Sequence, residues 1–178
     1  MKLKVLVIAL LPVLAITLVA SALGGGKSEV SALKQATAKY HDVEAAIAAG
    51  YITELPQTTN PPYTGGTCIV DVKPPLEGAM GIHMVDDRPG GRIDGTLDPT
   101  EPEALLYERR NDGTLKLTGV EYIVGGGARP SLYGQQFDET DLERYGAPLG
   151  TLVWTLHAWV WKPNPSGMFE QWNDRVTC

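Results

Sequence analysis

The chain has 178 residues and a formal net charge of −6, from 21 acidic and 15 basic side chains. This length suggests a single domain, or a single domain with a tail. A net negative surface repels phosphate backbones, and the basic residues are scattered along the chain and form no basic stripe that would offset this repulsion. Nucleic acid is therefore excluded as a partner.

Residues 1–22 are typical of a signal peptide. Lys2 and Lys4 precede an uncharged apolar run over residues 5–20, and Ala20-Ser21-Ala22 has the small residues of a cleavage site. We expect cleavage after Ala22 and a secreted or periplasmic protein with 13 basic and 21 acidic residues, a net charge of −8. The apolar run is shorter than the roughly 20 residues that span a bilayer, so no stable membrane span is expected after cleavage. An uncleaved signal would instead leave the protein anchored to the membrane.

Residues 23–30 are expected to be a linker, and residues 31–178 a single domain. Ser28 or Ser31 can cap a helix that runs to about Ala49. Glu44 falls within the apolar stripe of this helix and His41 lies at its border. The stripe has the i, i+3, i+4, i+7 spacing of a helix face and consists of Leu33, Ala36, Tyr40, Val43 and Ile47.

Several segments have the alternating pattern of β-strands. Residues 78–86 predict a short strand with His83 and Val85 on one face. Residues 104–110 and 115–124 flank Asn111-Asp112-Gly113, which is a strong hairpin signal. On the second of these strands one face is expected to carry Leu115, Leu117, Gly119, Glu121 and Ile123.

The last predicted strand covers residues 151–161. One of its faces is expected to carry Val153, Thr155, His157, Trp159 and Trp161. One helix followed by several antiparallel strands predicts an α+β fold, in which the N-terminal helix packs on a curled antiparallel sheet.

The chain has two cysteines, Cys68 and Cys178. In an exported protein they are expected to form a disulfide that joins the last residue to a loop rich in proline and glycine. A cysteine metal site is a weaker interpretation, because the spacing is not CxxC and exported thiol pairs tend to oxidise.

All three histidines lie on predicted helices or strands, and this suggests a shared site. His83, His157 and Glu121 can converge inside a curled sheet, with His41 or Glu44 added from the covering helix. Imidazoles with one carboxylate suit Zn, Cu, Fe or Ni. The predicted metal ligands are therefore His41, His83, Glu121 and His157, and the predicted partner is a metal ion or a small molecule.

A second hypothesis is a non-catalytic binding or structural module. A single histidine on a strand is more often a hydrogen-bonded core residue than a ligand, and the aromatic strand would then line a pocket for a small apolar molecule. A hydrogen bond between His41 and Glu44 on one helix would equally explain that pair. The chain has no GxSxG motif, so no acyl-enzyme nucleophile is indicated. Catalysis, substrate and oligomeric state are left open.

Three blocks of the chain resemble a family of small exported bacterial proteins. They are ATAKYHDVEAAIAAGY at residues 36–51, GAMGIHMVD at residues 78–86 with the later PEALLYE and VEYIV, and LHAWVWKPNPSGMF at residues 156–169. The resemblance covers most of the chain after the signal peptide and implies a shared fold and export. The family has no known activity, so the resemblance implies no catalytic residue, and the metal hypothesis depends on the residues alone.

Overall fold

The computed structural model describes residues 25–51, 68–71, 76–86, 88–141 and 152–178. The predicted signal peptide and its cleavage site lie outside the described residues. Among the helices that are described, none is long and apolar enough to cross a membrane.

The N-terminal helix is interrupted. It consists of α1 (Gly25–Thr37), a 3-10 helix (Ala38–His41) and α2 (Val43–Ala48), so the prediction of one continuous helix is wrong. The interruption occurs at Asp42, whose side chain accepts a hydrogen bond from the Glu44 backbone N–H at 3.1 Å and so caps α2. Helix α1 also begins inside the segment that was expected to be a linker.

The interruption changes which residues of α2 face the sheet. Ala46 is fully buried, whereas Ile47 is 47% exposed. Glu44 is exposed as well, so its predicted place within the apolar stripe is wrong. A helix keeps its 3.6-residue period only while its hydrogen bonding is continuous, and the 3-10 turn shifts the phase.

The eight strands within the described residues form two antiparallel sheets. The main sheet has six strands in the order β1-β2-β3-β4-β8-β7, and β5 and β6 form a separate pair. The strands are β1 (Ile69–Val70), β2 (Ala79–Val85), β3 (Ala104–Arg109), β4 (Leu115–Gly125), β5 (Ser131–Leu132), β6 (Gln135–Gln136), β7 (Asp138–Asp141) and β8 (Leu152–Ala158). The α+β class, with helices packed on a curled antiparallel sheet in one domain, is confirmed. The edge strands β1 and β7 arise in segments for which the sequence predicted no strand.

One face of the main sheet packs against the helices, and we call it the helix face. Tyr107 fixes the helices to this face, because its hydroxyl donates to the Tyr40 carbonyl at 2.7 Å. Leu33 and Ala46 are fully buried against the same core. The strand residues on this face are Ile82, Met84, Leu105, Tyr107, Leu117, Val120, Tyr122, Leu156 and Ala158.

The opposite face, which we call the site face, is buried too. It carries one apolar cluster around Leu106 and Trp159 and a second around Ile123. Residues 159–178, the C-terminal segment, fold over the first cluster. Asn173 in this segment exchanges two backbone hydrogen bonds of 3.1 Å with Ala79 at the start of β2. The central strands are therefore covered on both faces.

A β-bulge in β4 changes the face assignment part-way along the strand. Leu106 pairs with Gly119, and the next residue, Tyr107, pairs with Leu117, so Thr118 is an extra residue on β4. The Thr118 hydroxyl donates to the Leu106 carbonyl at 2.9 Å, which satisfies this buried side chain. The residues on either side of Thr118 then point to opposite faces of the sheet.

The bulge and the end of β8 correct two predictions. Leu115 and Leu117 pack in the core of the helix face, whereas Glu121 lies on the site face. The Thr118 carbonyl also accepts the backbone N–H of Trp161, after β8 has ended at Ala158. Trp161 consequently packs against the core of the helix face and does not share the face of His157.

The predicted disulfide is present. Cys68 and Cys178 are bonded, their Cα atoms are 5.5 Å apart, and 110 positions separate them in the chain. The adjacent Thr177 backbone N–H donates to the Glu108 carboxylate at 3.4 Å. The disulfide therefore secures the end of the segment that covers the site face.

Replacing both cysteines by serine should lower the free energy of unfolding by about 4 to 5 kcal/mol, because the unfolded chain loses the constraint of a very long loop. Urea unfolding of the two proteins, followed by tryptophan fluorescence, measures the difference. Reduction of the unsubstituted protein should give the same loss and should not affect the double variant. Equal stability of the oxidised protein and the double variant would contradict this expectation.

Candidate metal site

Three titratable side chains meet on the site face. His83 lies on β2, Glu121 on β4 and His157 on β8. Glu121 and His157 are direct cross-strand partners. His83 is two strands away from Glu121 and in register with Leu106 and Gly119, so its side chain must reach diagonally across β3. The residue opposite Glu121 on β3 is Ala104, whose short side chain leaves room for that approach.

The three side chains come close enough to share one ligand. His83 Nε2 lies 3.3 Å from Glu121 Oε2, and His157 Nε2 lies 3.8 Å from Glu121 Oε1. The two imidazole rings are 6.0 Å apart between centroids and nearly perpendicular. One potential ligand atom from each residue lies within 4.8 Å of those of the other two. Among the described residues, this is the group of at least three histidine, cysteine or acidic side chains that is close enough to hold one metal ion.

The group is removed from solvent. His83, Glu121 and His157 are 7%, 6% and 2% exposed. Burial lowers the pKa of His157 to about 4, although the neighbouring Glu121 charge opposes this, so the imidazole is neutral at physiological pH. Burial also works against ionisation of Glu121, but attraction to His157 or His83 when that imidazole is protonated, and the hydrogen bond from His83, lower its pKa below the usual range. A neutral imidazole and an ionised carboxylate are the forms that bind metals.

The hydrogen bonding within the group is incomplete. His83 Nδ1 and His157 Nε2 are buried and have no partner. Within the described part of the chain, they are two of the three buried side-chain nitrogen or oxygen atoms in that state. An unpaired buried polar atom costs roughly 1–3 kcal/mol, so folded proteins seldom leave two of them in one cluster.

Trp159 supports His157 from one side. The two rings stack with their centroids 5.9 Å apart and their planes 23° from parallel. The Trp159 indole N–H donates to the Glu170 carbonyl of the C-terminal segment, at 2.6 Å. Behind Trp159, Gly119 lies so close that a Cβ there would be 2.8 Å from the Ala158 carbonyl oxygen and 3.2 Å from the Trp159 ring. The His157 ring is therefore positioned by packing as well as by its strand.

His41 and Glu44 lie outside this group. His41 is exposed on the 3-10 helix, and its ring contacts the edge of Trp161 at 4.4 Å between centroids. Glu44 is exposed on α2. Both residues belong to the helices that pack on the helix face, so the sheet separates them from the other three. Of the four predicted ligands, the structure brings together His83, Glu121 and His157.

One buried carboxyl near this site was not singled out from the sequence. Glu103 is 1% exposed and accepts the Ile123 backbone N–H at 3.0 Å. Burial raises the pKa of Glu103 from 4.5 to about 7, against the effect of that hydrogen bond. In the sequence, Glu103 is an acidic residue directly before a predicted strand. That position alone does not show whether its side chain is buried or exposed.

Gly119→Ala should destabilise the protein by about 1–3 kcal/mol, because the added methyl group forces apart Trp159 and the Ala158 carbonyl. Gly125→Ala is a matched control at the exposed end of the same strand, where a Cβ would meet nothing within 4 Å. Thermal unfolding of both variants tests the difference. Equal melting temperatures would show that the contact at Gly119 relaxes freely.

Glu103→Gln should flatten the dependence of stability on pH. The folded-state pKa of Glu103 is raised, so its stabilising effect is fully present below pH 4.5 and is lost as the pH rises through about 7. The contribution of Glu103 to the free energy of unfolding changes by about 3 kcal/mol over this range, at 1.36 kcal/mol per pKa unit. Glutamine can still accept the hydrogen bond from the Ile123 N–H. The free energy of unfolding of the variant should therefore rise relative to that of the unsubstituted protein as the pH rises. Parallel curves from urea unfolding across this range would contradict the expectation.

Comparison with protein-family models, with curated proteins and with solved structures finds no match to this chain. The functional argument therefore depends on the geometry of the His83, Glu121 and His157 group.

Proposed function

We propose that the protein binds one transition-metal ion through His83, Glu121 and His157. The observation that supports this most directly is the unpaired, buried Nε2 of His157, held 3.8 Å from a carboxylate oxygen that could share a ligand with it. A metal ion would complete the coordination of both atoms. The same ion would remove the energetic cost of leaving the nitrogen without a partner.

The spacing of the group is compatible with one ion after small side-chain movements. Nitrogen and oxygen ligands about 2.1 Å from a tetrahedral metal are about 3.4 Å apart. The 3.3 Å contact between His83 and Glu121 already has this separation. The separation of 3.8 Å between His157 and Glu121 needs to shorten by a few tenths of an ångström. These two distances end on different oxygens of Glu121, and the three ligand atoms lie within 4.8 Å of one another, so the side chains have to move toward one another to bind one ion.

The ligand types select the class of metal. Two imidazoles and one carboxylate suit Zn, Cu, Ni or Fe, whereas Mg and Ca prefer sites made only of oxygen ligands. Thiolate binding is excluded, because both cysteines of the chain are in the disulfide. The protein is thus proposed to hold or use a transition metal of intermediate softness.

The competing hypothesis of an apolar-ligand pocket receives less support. Trp159 is 2% exposed and Trp161 is only partly exposed, so neither offers an open face. Their indole nitrogens are already engaged, since Trp161 donates to the Thr37 hydroxyl at 3.2 Å and Trp159 to Glu170. The aromatic strand therefore packs the two faces of the sheet and does not line an open cleft.

The proposal is tested with the exported protein, produced without a histidine tag, freed of metal by a chelator and titrated with Zn²⁺, Cu²⁺, Ni²⁺ and Co²⁺. We expect one ion per chain by elemental analysis and a rise in melting temperature, because an ion that binds only the folded state stabilises it. Glu121→Gln and His157→Ala should abolish stoichiometric binding.

His41→Ala is the matched control, since it removes the one histidine outside the group and should leave binding unchanged. Circular dichroism and an intact disulfide would show that each variant is folded. The absorption bands of bound Co²⁺ give a second readout of nitrogen and oxygen coordination. Failure of every metal to bind, or stoichiometric binding that survives both Glu121→Gln and His157→Ala, would overturn the proposal.

A further inference from the structure

We infer that the bound metal keeps an exchangeable coordination position on the side away from the sheet, and that this position takes a small monoanion. The inference rests on the proposed metal site and specifies what that site binds. A metal with all positions filled by protein only stabilises the fold, whereas one with an open position can bind and activate another molecule.

The first argument is the number of protein ligands. In the described part of the chain, three side chains form the group, and other polar groups on the same face are occupied elsewhere. The hydroxyls of Thr140 and Thr155 hydrogen-bond to each other at 2.8 Å. Transition metals take at least four ligands, so three protein ligands leave at least one position for a molecule from outside.

The second argument is direction. His83, Glu121 and His157 all rise from one face of the sheet, from three of its strands. A metal bound by all three therefore has its protein ligands on the side toward the sheet. The free positions lie on the other side, so an additional ligand does not have to displace His83, Glu121 or His157.

The third argument is charge. A divalent metal with two neutral imidazoles and one carboxylate carries a net charge of +1. Its apolar neighbours on the site face include Leu106, Trp159, Val85 and Ile123. An uncompensated charge is costly in such surroundings, and one monoanion neutralises the metal together with its three protein ligands. Dianions and neutral molecules leave a net charge there.

The fourth argument is size. The three ligand residues are at most 7% exposed, so a bound molecule has little room around the metal. Trp159 stacks on His157 and is itself held by its hydrogen bond to the Glu170 carbonyl, which restricts access from that direction. The site is therefore expected to admit anions of a few atoms, such as hydroxide, azide or formate, and to exclude aromatic carboxylates.

The test uses the full exported chain loaded with one Co²⁺, whose absorption bands report on each ligand. Azide and formate should shift these bands in a saturable manner, with one anion bound per metal. Formamide is a neutral molecule of nearly the same shape as formate and should cause no shift. Benzoate carries the same charge as formate but is larger, and it should also cause no shift. Sodium perchlorate at matched ionic strength controls for screening.

The outcomes separate this inference from the proposed function. Stoichiometric Co²⁺ whose spectrum is unchanged by azide and formate would overturn the open position and leave the metal site in place. Equal responses to formate and formamide would overturn the preference for a monoanion, and a response to benzoate would overturn the restriction on size. If no Co²⁺ binds, the metal site and its open position are both wrong.

Discussion

The central strands of the sheet are buried on both faces, and most features of the molecule follow from this constraint. On β2 every residue is buried, and on β4 the residues from Leu117 to Ile123 are buried without interruption. Antiparallel sheets more often leave one face in water. Here a polar residue at either face has no access to solvent, so Glu121 must find its partners inside the protein, and it finds two histidines.

The two covers of the sheet have different origins. The helices pack on one face through apolar side chains and the hydrogen bond between Tyr107 and Tyr40. The C-terminal segment has little regular structure and is held on the other face by specific contacts. These include the Asn173 backbone pairing with Ala79 and the disulfide at Cys178. The site face therefore depends on covalent and polar attachment, as expected where a cover cannot bury much apolar surface.

Strand alternation accounts for what was correctly predicted about the candidate site. His83, Glu121 and His157 were each placed on a strand face from a period of two, and a strand keeps this period wherever its pairing is regular. The errors occur where the regularity is broken. The bulge at Thr118 turns Leu117 to the helix face, and the end of β8 at Ala158 turns Trp161 the same way. Neither break has a local sequence signal comparable to Asn111-Asp112-Gly113.

The sequence by itself determined the fold class, the disulfide pair and the position of each site residue on its strand, because these depend on composition and on contacts between near neighbours in the chain. Tertiary structure alone decided which of these residues meet. Pairing register brings Glu121 opposite His157 and within reach of His83, across strands that are far apart in sequence. Register is set by how both faces pack at once, and the same packing leaves His41 on the other side of the sheet.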